Sequence, residues 1–386
     1  MPRGRSPGGG LVGSGRTLTG TEPAGGEVAA AVRLHLTPGL GDRRGGRLLR
    51  ELGSARGVVD HPERVEAVAG ARVARSLTAP SLDREVEAVL RRCDALEIGL
   101  VPWADPRYPP PLREVHDPPP LLFFQGDLQR WKKRRVAVVG SRKATPTGRR
   151  TAERLGRDLS RVGVGVWSGL ALGVDGAAHR GALEGGGGTV AVLGAGLDCP
   201  YPLAHRPLLQ RIAREGLVFS EFPPGTRPRP HHFPRRNRIL AAMAEAVIVV
   251  EATPGSGALI TVDHAQDLGR PVLAVPGSVE SEQSRGTNAL IRDGAALVLE
   301  AQDVLDHLQW GTPSPDPAFL RPTSDSLTPC EARITALLGP VPLPLEEVLE
   351  HTGLPPSRVL AALTGLEIAD RIRRVPEGWV LGPGGR

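Results

Sequence analysis

From Glu221 to Leu240 the chain reads EFPPGTRPRPHHFPRRNRIL, in which Arg227, Arg229, Arg235, Arg236 and Arg238 fall within twelve residues that hold no acid. Phe233 stands among them and is one of only six phenylalanines in the chain. Cations beside an aromatic ring suit backbone tracking, in which guanidinium groups follow phosphates while the ring stacks on an unpaired base. The plainer alternative is that Phe233 anchors the loop in the core and the arginines stay solvated. Other segments carry related chemistry. After VAVVG come Ser141, Arg142 and Lys143, then Thr145 and Thr147, placing hydroxyls, cations and backbone donors where a helix start would meet a phosphate. In TPGSGALITVDHA, Gly255, Ser256 and Gly257 open a helix and can present N–H groups to an anion. Ser284, Arg285, Gly286 and Asn288 form a further polar loop, and the stretch from Leu128 to Ala152 has lysines and arginines but no acid.

Other constellations point away from catalysis. Asp175 and His179 lie four apart on one predicted helix and are the right types for proton transfer, but no nucleophile or metal partner accompanies them. Capping and local hydrogen bonding are the expected roles. GAGLDCPYP holds a lone GxG without the third glycine of a dinucleotide fingerprint, so no nicotinamide cofactor is expected. Cys93, Cys199 and Cys330 are too far apart in sequence for a CxxC pair, which predicts neither a zinc site nor disulfides and fits a reducing cytoplasm. The N-terminus lacks the apolar core of a signal peptide, and the most apolar later stretch, from Ile239 to Val250, is interrupted by Glu245 and too short to cross a bilayer. The expectation is a cytoplasmic chain without a membrane anchor. A net charge of +6 is compatible with a polyanionic partner.

These loops need a scaffold, and the pattern between them supplies one. VAVVG, VGVW, TVAVLG, LVFS, AVIVVEA and PVLAV are short β-branched runs, each followed by a helix-like stretch, which predicts an α/β fold with a doubly wound parallel sheet over residues 101–310. In such sheets ligands sit at the carboxyl ends of the strands, where every loop named above begins. Residues 1–30 are rich in Gly, Ser, Arg and Thr and are expected to be disordered. Apolar residues spaced by three and four predict a small helical domain over 31–100, with PGLG at 38–41 as a hairpin able to cradle a phosphate or simply turn between helices. DPRYPPPLREVHDPPPLLFFQGDL reads as an extended connector rather than a regular element. A Pro-rich linker at 311–326 precedes a winged-helix-like tail, 327–386, with three amphipathic segments and a two-stranded ending.

Taken in order, GSR at 140–142, SGLALGVDGAAH at 168–179, LGAGLDCPYP at 193–202, FPRRNRI at 233–239, SGALIT at 256–261 and VPG followed by GTNALIRDGA resemble the DNA-processing protein A (DprA/Smf) family across about 170 residues. The resemblance implies an extended Rossmann-like domain, a helix-hairpin-helix or SAM-like N-terminal domain and a C-terminal winged-helix-like domain. It also implies a homodimer that binds incoming single-stranded DNA, protects it and helps load the RecA recombinase during natural transformation. Carried over by motif, the DNA-contacting positions are Arg142, Phe233, Arg236, Asn237 and Arg238, supported by Ser141, Gly169, Gly257 and Asn288. Lys143, Arg235 and Ser256 complete the candidate set from the loops themselves. In the tail, Ala369 and Asp370 stand where the family usually places a small residue and Gly. The competing possibility is a Rossmann-like nucleoside-monophosphate phosphoribohydrolase, whose PGGxGTxxE loop corresponds to TPGSGALIT. Thr261 then occupies the place of the catalytic Glu and cannot act as a carboxylate base, so neither an enzyme nor a cofactor or metal is expected.

Overall fold

The computed structural model describes residues 26–132, 134–311, 329–339, 342–368, 371–375 and 377–382. Those up to 311 form one compact unit and those from 329 a second. Residues 1–25 and 312–328, which include all but the first residue of the linker expected at 311–326, lie outside the described residues.

Six helices come first: α1 (Glu27–Leu36), α2 (Gly41–Leu52), α3 (Ala55–Asp60), α4 (Pro62–Ala69), α5 (Ala71–Leu77) and α6 (Pro80–Ala95). The first starts earlier than the composition of residues 1–30 suggests. Its EVAAAV run packs closely because alanines are small, with Ala29, Ala30 and Ala31 buried, and the Glu27 carboxylate accepts from the Ala55 and Arg56 amides at 2.8 and 2.9 Å, capping α3. These helices do not fold around a core of their own. Leu48, Leu49, Val58 and Leu77 share one apolar cluster with Phe123, Leu193 and Val218 of the sheet that follows.

The proline-rich segment holds more regular structure than expected. Between β1 (Gly99–Pro102) and β2 (Leu121–Gly126) lies the short α7 (Pro110–Arg113), and the two strands pair antiparallel. The prolines gather between the strands, leaving LLFFQG with every backbone donor needed for a ladder. Tyr108, fully buried, donates through its hydroxyl to the Pro119 carbonyl at 2.9 Å and pins the intervening loop.

The remaining elements alternate: β3 (Arg135–Val139), α8 (Pro146–Arg161), β4 (Gly165–Ser168), α9 (Val174–Glu184), β5 (Thr189–Leu193), α10 (Arg206–Glu215), β6 (Leu217–Ser220), α11 (His232–Met243), β7 (Ala246–Val249), α12 (Gly257–Asp267), β8 (Val272–Ala274), α13 (Arg285–Arg292), β9 (Ala296–Leu297) and α14 (Ala301–His307). All six apolar runs singled out in the sequence are strands. The nine-stranded sheet has the order β1-β2-β6-β5-β4-β3-β7-β8-β9 and is parallel from β6 through β9. Strand order reverses at β3, whose neighbours are β4 on one side and β7 on the other. The crevice above that reversal is where a doubly wound sheet offers room for a ligand.

The second unit packs α15 (Pro329–Leu337), α16 (Leu345–Thr352) and α17 (Pro356–Ile368) with a two-stranded wing, β10 (Ile372–Val375) and β11 (Gly378–Leu381). Ile334, Val348, Val359, Leu363, Ile372 and Trp379 make its own core, a winged-helix arrangement. Ala369 and Asp370, the departure from the resembled pattern, lie outside the described residues.

Candidate nucleic-acid interface

A cleft of about 760 Å³ opens over the switch between β3 and β7, and its walls come from the loops after β3, β4, β5, β6, β7 and β8. Ser141, Arg142, Lys143, Phe233, Arg236, Asn237, Ser256 and Gly257 of the candidate set line it. Residues distant in sequence are thus brought together as the strand-end argument requires.

At one wall three flat groups form a ladder. The Arg142 guanidinium lies over the Phe233 ring at 4.9 Å, and Phe233 is 5.4 Å from Tyr201, centroid to centroid. Gly194 lets Phe233 approach so closely: a Cβ there would stand 2.9 Å from its Cδ1. Phe233 is therefore half-buried, seated against the β5 loop by one edge, which combines the anchoring and the stacking possibilities. Tyr201 is 47% exposed and was not among the candidates. Its signal in the sequence was the CPYP run, which puts an aromatic residue in the loop that follows the TVAVLG strand.

The arginines of FPRRNR behave differently from the sequence expectation. Arg236 is 3% exposed, donating through Nη1 to the Gly169 carbonyl at 2.8 Å and to the Val192 carbonyl, and through Nε to Asn237 Oδ1 at 3.2 Å. Asp175 lies beside this fork and accepts from the Gly169 and Ala171 amides at 3.1 and 3.3 Å. Burial pushes the Asp175 carboxyl up while Arg236 pulls it down, and burial lowers Arg236 to about 10 against the pull of Asp175. Both side chains bind the loop after β4, and Arg236 forms part of the cleft floor with its guanidinium engaged by backbone carbonyls. Gly169 belongs to the same device.

Arg238 and Arg235 are likewise engaged, by acids brought in from elsewhere in the chain. Arg238 is 5% exposed and contacts Glu221 at 2.6 Å, Asp42 at 3.0 Å and Asp117 at 3.5 Å. Arg235 reaches Asp42 at 2.7 Å and Glu221 at 3.0 Å. The segment is free of acids along the chain but not in space. The cations left facing solvent around the cleft are Arg142, Lys143 and Arg229, with Arg227 exposed on the same loop.

The helix start at α8 also differs. Its anion site is taken by Glu251, whose carboxylate accepts from the Thr145 amide at 2.8 Å and the Thr145 hydroxyl at 2.6 Å. A Cβ on Gly148 would collide with that carboxylate, so the glycine admits it. Ser141 is buried and donates through Oγ to Gln283 at 3.1 Å. At α12, Ser256 is the N-cap residue but makes no side-chain cap, and the Gly257 carbonyl accepts from Asn237 Nδ2 at 3.2 Å, while the Leu259 amide in the first turn donates to the Ser256 carbonyl at 3.0 Å. Asn288 is committed at both ends, accepting from the Gly277 amide at 3.1 Å and donating to its carbonyl at 3.0 Å, and so braces the loop after β8 rather than lining the cleft.

Asp175 and His179 share no bond. His179 is fully buried, paired through Nδ1 with Thr189 Oγ1 at 2.8 Å, and burial lowers its pKa to about 3. Thr261 lies in the cleft wall at 1% exposure. Among the described residues no three His, Cys, Asp or Glu side chains come together as a metal site requires, and no helix is long and apolar enough to cross a membrane.

Known proteins share this architecture. Residues 99–309 match the family described as DNA recombination-mediator protein A, and residues 315–378 match the DprA winged helix domain. A putative DNA processing protein DprA of Mycobacterium tuberculosis is 45% identical over 243 residues, 61% of this chain and 61% of that protein, so the match spans about three fifths of the relative's length. The X-ray structure of DNA processing protein A from Streptococcus pneumoniae superposes with a TM-score of 0.56 at 38% identity, covering 64% of this chain and 91% of that one. The Helicobacter pylori DNA processing protein A, whose structure is described with its single-stranded DNA binding mode, superposes with a TM-score of 0.51 at 29% identity, covering 56% of this chain and 97% of that one. With a matched region that takes in the whole cleft and more than half its length, the chain belongs to the DNA recombination-mediator protein A (DprA/Smf) family.

Proposed function

We propose that this protein binds single-stranded DNA in the cleft over the β3 and β7 strand ends, and acts without chemistry of its own. The observation that carries the proposal is the ladder of Arg142, Phe233 and half-exposed Tyr201 beside the solvent-facing Lys143 and Arg229. Planar faces next to solvent-facing cations suit a strand whose bases are free to stack and whose phosphates must be neutralised. A duplex hides those base faces, so single strands are the favoured ligand. The kinship extends the proposal: a homodimer in the cytoplasm protects strands acquired in natural transformation and helps load RecA on them.

A purely binding role is consistent with how the acids are engaged. Glu251 caps α8, Glu221 neutralises Arg235 and Arg238, and Asp175 is bonded to backbone amides beside Arg236. Thr261 offers no carboxylate for glycosidic cleavage. Fluorescence anisotropy with a labelled single strand and with a duplex of equal length tests the binding claim, single strands being bound more tightly. Equal or tighter duplex binding would refute it. Incubation with nucleoside monophosphates should release no base, and turnover lost on mutating the 253–261 loop would establish the enzyme instead.

A further inference from the structure

Helix α2 carries a charged face that the cleft does not use. Gly45, Gly46, Leu48 and Leu49 are buried, while Arg43, Arg44, Arg47 and Arg50 are exposed. Arg50 donates to the Val115 carbonyl at 3.2 Å and Arg44 to the Gly39 carbonyl at 3.2 Å. Arg43 and Arg47, one turn apart on the same face, pair with no carboxylate among the described residues. The helix does have acids near them, but both are engaged elsewhere: Glu51 with Arg64, and Asp42 with Arg235 and Arg238.

That second engagement fixes where the face lies. Asp42 meets Arg235 at 2.7 Å, and Arg235 follows Phe233 by two residues on α11. Arg43 is the next residue along α2, and Arg47 lies about 6 Å further on at the helical rise of 1.5 Å per residue. Two further contacts hold α2 in place. Asp42 also holds the buried Arg238, and Gly46 packs so tightly on Pro118 that a Cβ would collide with the ring.

We propose that Arg43, Arg44 and Arg47 form a second phosphate-tracking surface, which takes the sugar-phosphate backbone of a single strand as it leaves the cleft beside Arg229 and Arg235. The proposal rests on the cleft's being a single-strand site. It assigns the helical segment ahead of the sheet a part in DNA binding, with the cleft holding bases and the helix neutralising phosphates only. Strands too short to span both surfaces gain nothing from α2.

The test uses the full chain and two labelled oligothymidylates, one of about 5 nucleotides, near the lower end of usual single-strand site sizes, and one of about 20, beyond the upper end. Affinity is measured against salt for the parent, Arg142→Ala, Arg43→Gln/Arg47→Gln and a charge control on α6, Arg84→Gln/Arg91→Gln. All four α2 and α6 positions are exposed, so folding should be unaffected. For the α2 variant the log–log salt slope on the long strand should fall by roughly 1.4, two contacts at about 0.7 each, with the short strand bound as by the parent. The control should match the parent on both. An α2 variant indistinguishable from the parent on both lengths, or equally weakened on both, overturns the proposal while leaving the cleft intact if Arg142→Ala still impairs binding. A parent that binds neither strand overturns the cleft assignment and this one together.

Discussion

Arg236 and Gly169 are fitted to one another: the Arg236 guanidinium donates to the Gly169 carbonyl at 2.8 Å, and a Cβ on Gly169 would fall on that same guanidinium. A basic residue in the middle of the most basic segment, placed on α11, is thus a structural brace, and the glycine opposite leaves room for it. Removing the guanidinium leaves the buried Asp175 carboxylate without the cation that pulls its pKa down most. Arg236→Ala should therefore cost about 3 to 5 kcal/mol of unfolding free energy. Gly169→Ala should cost about 1 to 3 kcal/mol through overpacking. Urea denaturation of the larger unit reads both. A change of less than about 0.5 kcal/mol for Arg236→Ala would show that the buried fork contributes nothing.

A pH dependence follows from His179. Its pKa falls from the ordinary 6.5 to about 3 in the fold, chiefly by burial, so the fold holds the neutral ring. Between those values the unfolded chain binds more protons than the folded one. Stability is complete above about pH 6.5 and is lost as the pH drops towards 3, by about 2 kcal/mol between pH 7 and pH 5. His35, lowered to about 4 by burial and by Arg235 and Arg238, acts in the same direction over the same range. Thermal melts at pH 7 and pH 5 should show a smaller acid destabilisation for His179→Asn, which keeps a partner for Thr189, than for the parent. Identical acid shifts in the two proteins would contradict the assignment.

The strand ends were legible in the sequence because period and β-branching report burial on both faces of a parallel sheet, and all six runs are strands. Arg142, Phe233 and Ser256 were legible because each follows such a run. What sequence could not show was pairing across long separations. Arg235 and Arg238 have no acid in the basic segment from Arg227 to Arg238, yet Asp42 lies nearly two hundred positions away and reaches both. Likewise Glu251 reads as the end of a strand, and only the fold carries its carboxylate to the start of α8. The pairing of β1 with β2 was hidden by the prolines between them, which dominate composition without interrupting either strand.

The second unit has its own core, and every residue lining the cleft precedes it in sequence. Deleting residues 327–386 should leave single-strand affinity within about twofold of the full chain, as measured by anisotropy. A folded truncation that loses most of its affinity would show the winged helix to be a principal DNA-binding element.

The central claim is that Arg142 neutralises a phosphate while Phe233 presents a stacking face, and a plot of log affinity against log salt separates the two. Arg142→Ala should weaken binding to single strands of any sequence and lower the slope by roughly 0.7, the increment for one lost phosphate contact on a single strand. Phe233→Ala should weaken binding by about 1 to 3 kcal/mol with the slope nearly unchanged. If both variants fold and bind single strands as the parent does, with the same slope, the cleft is not the DNA site.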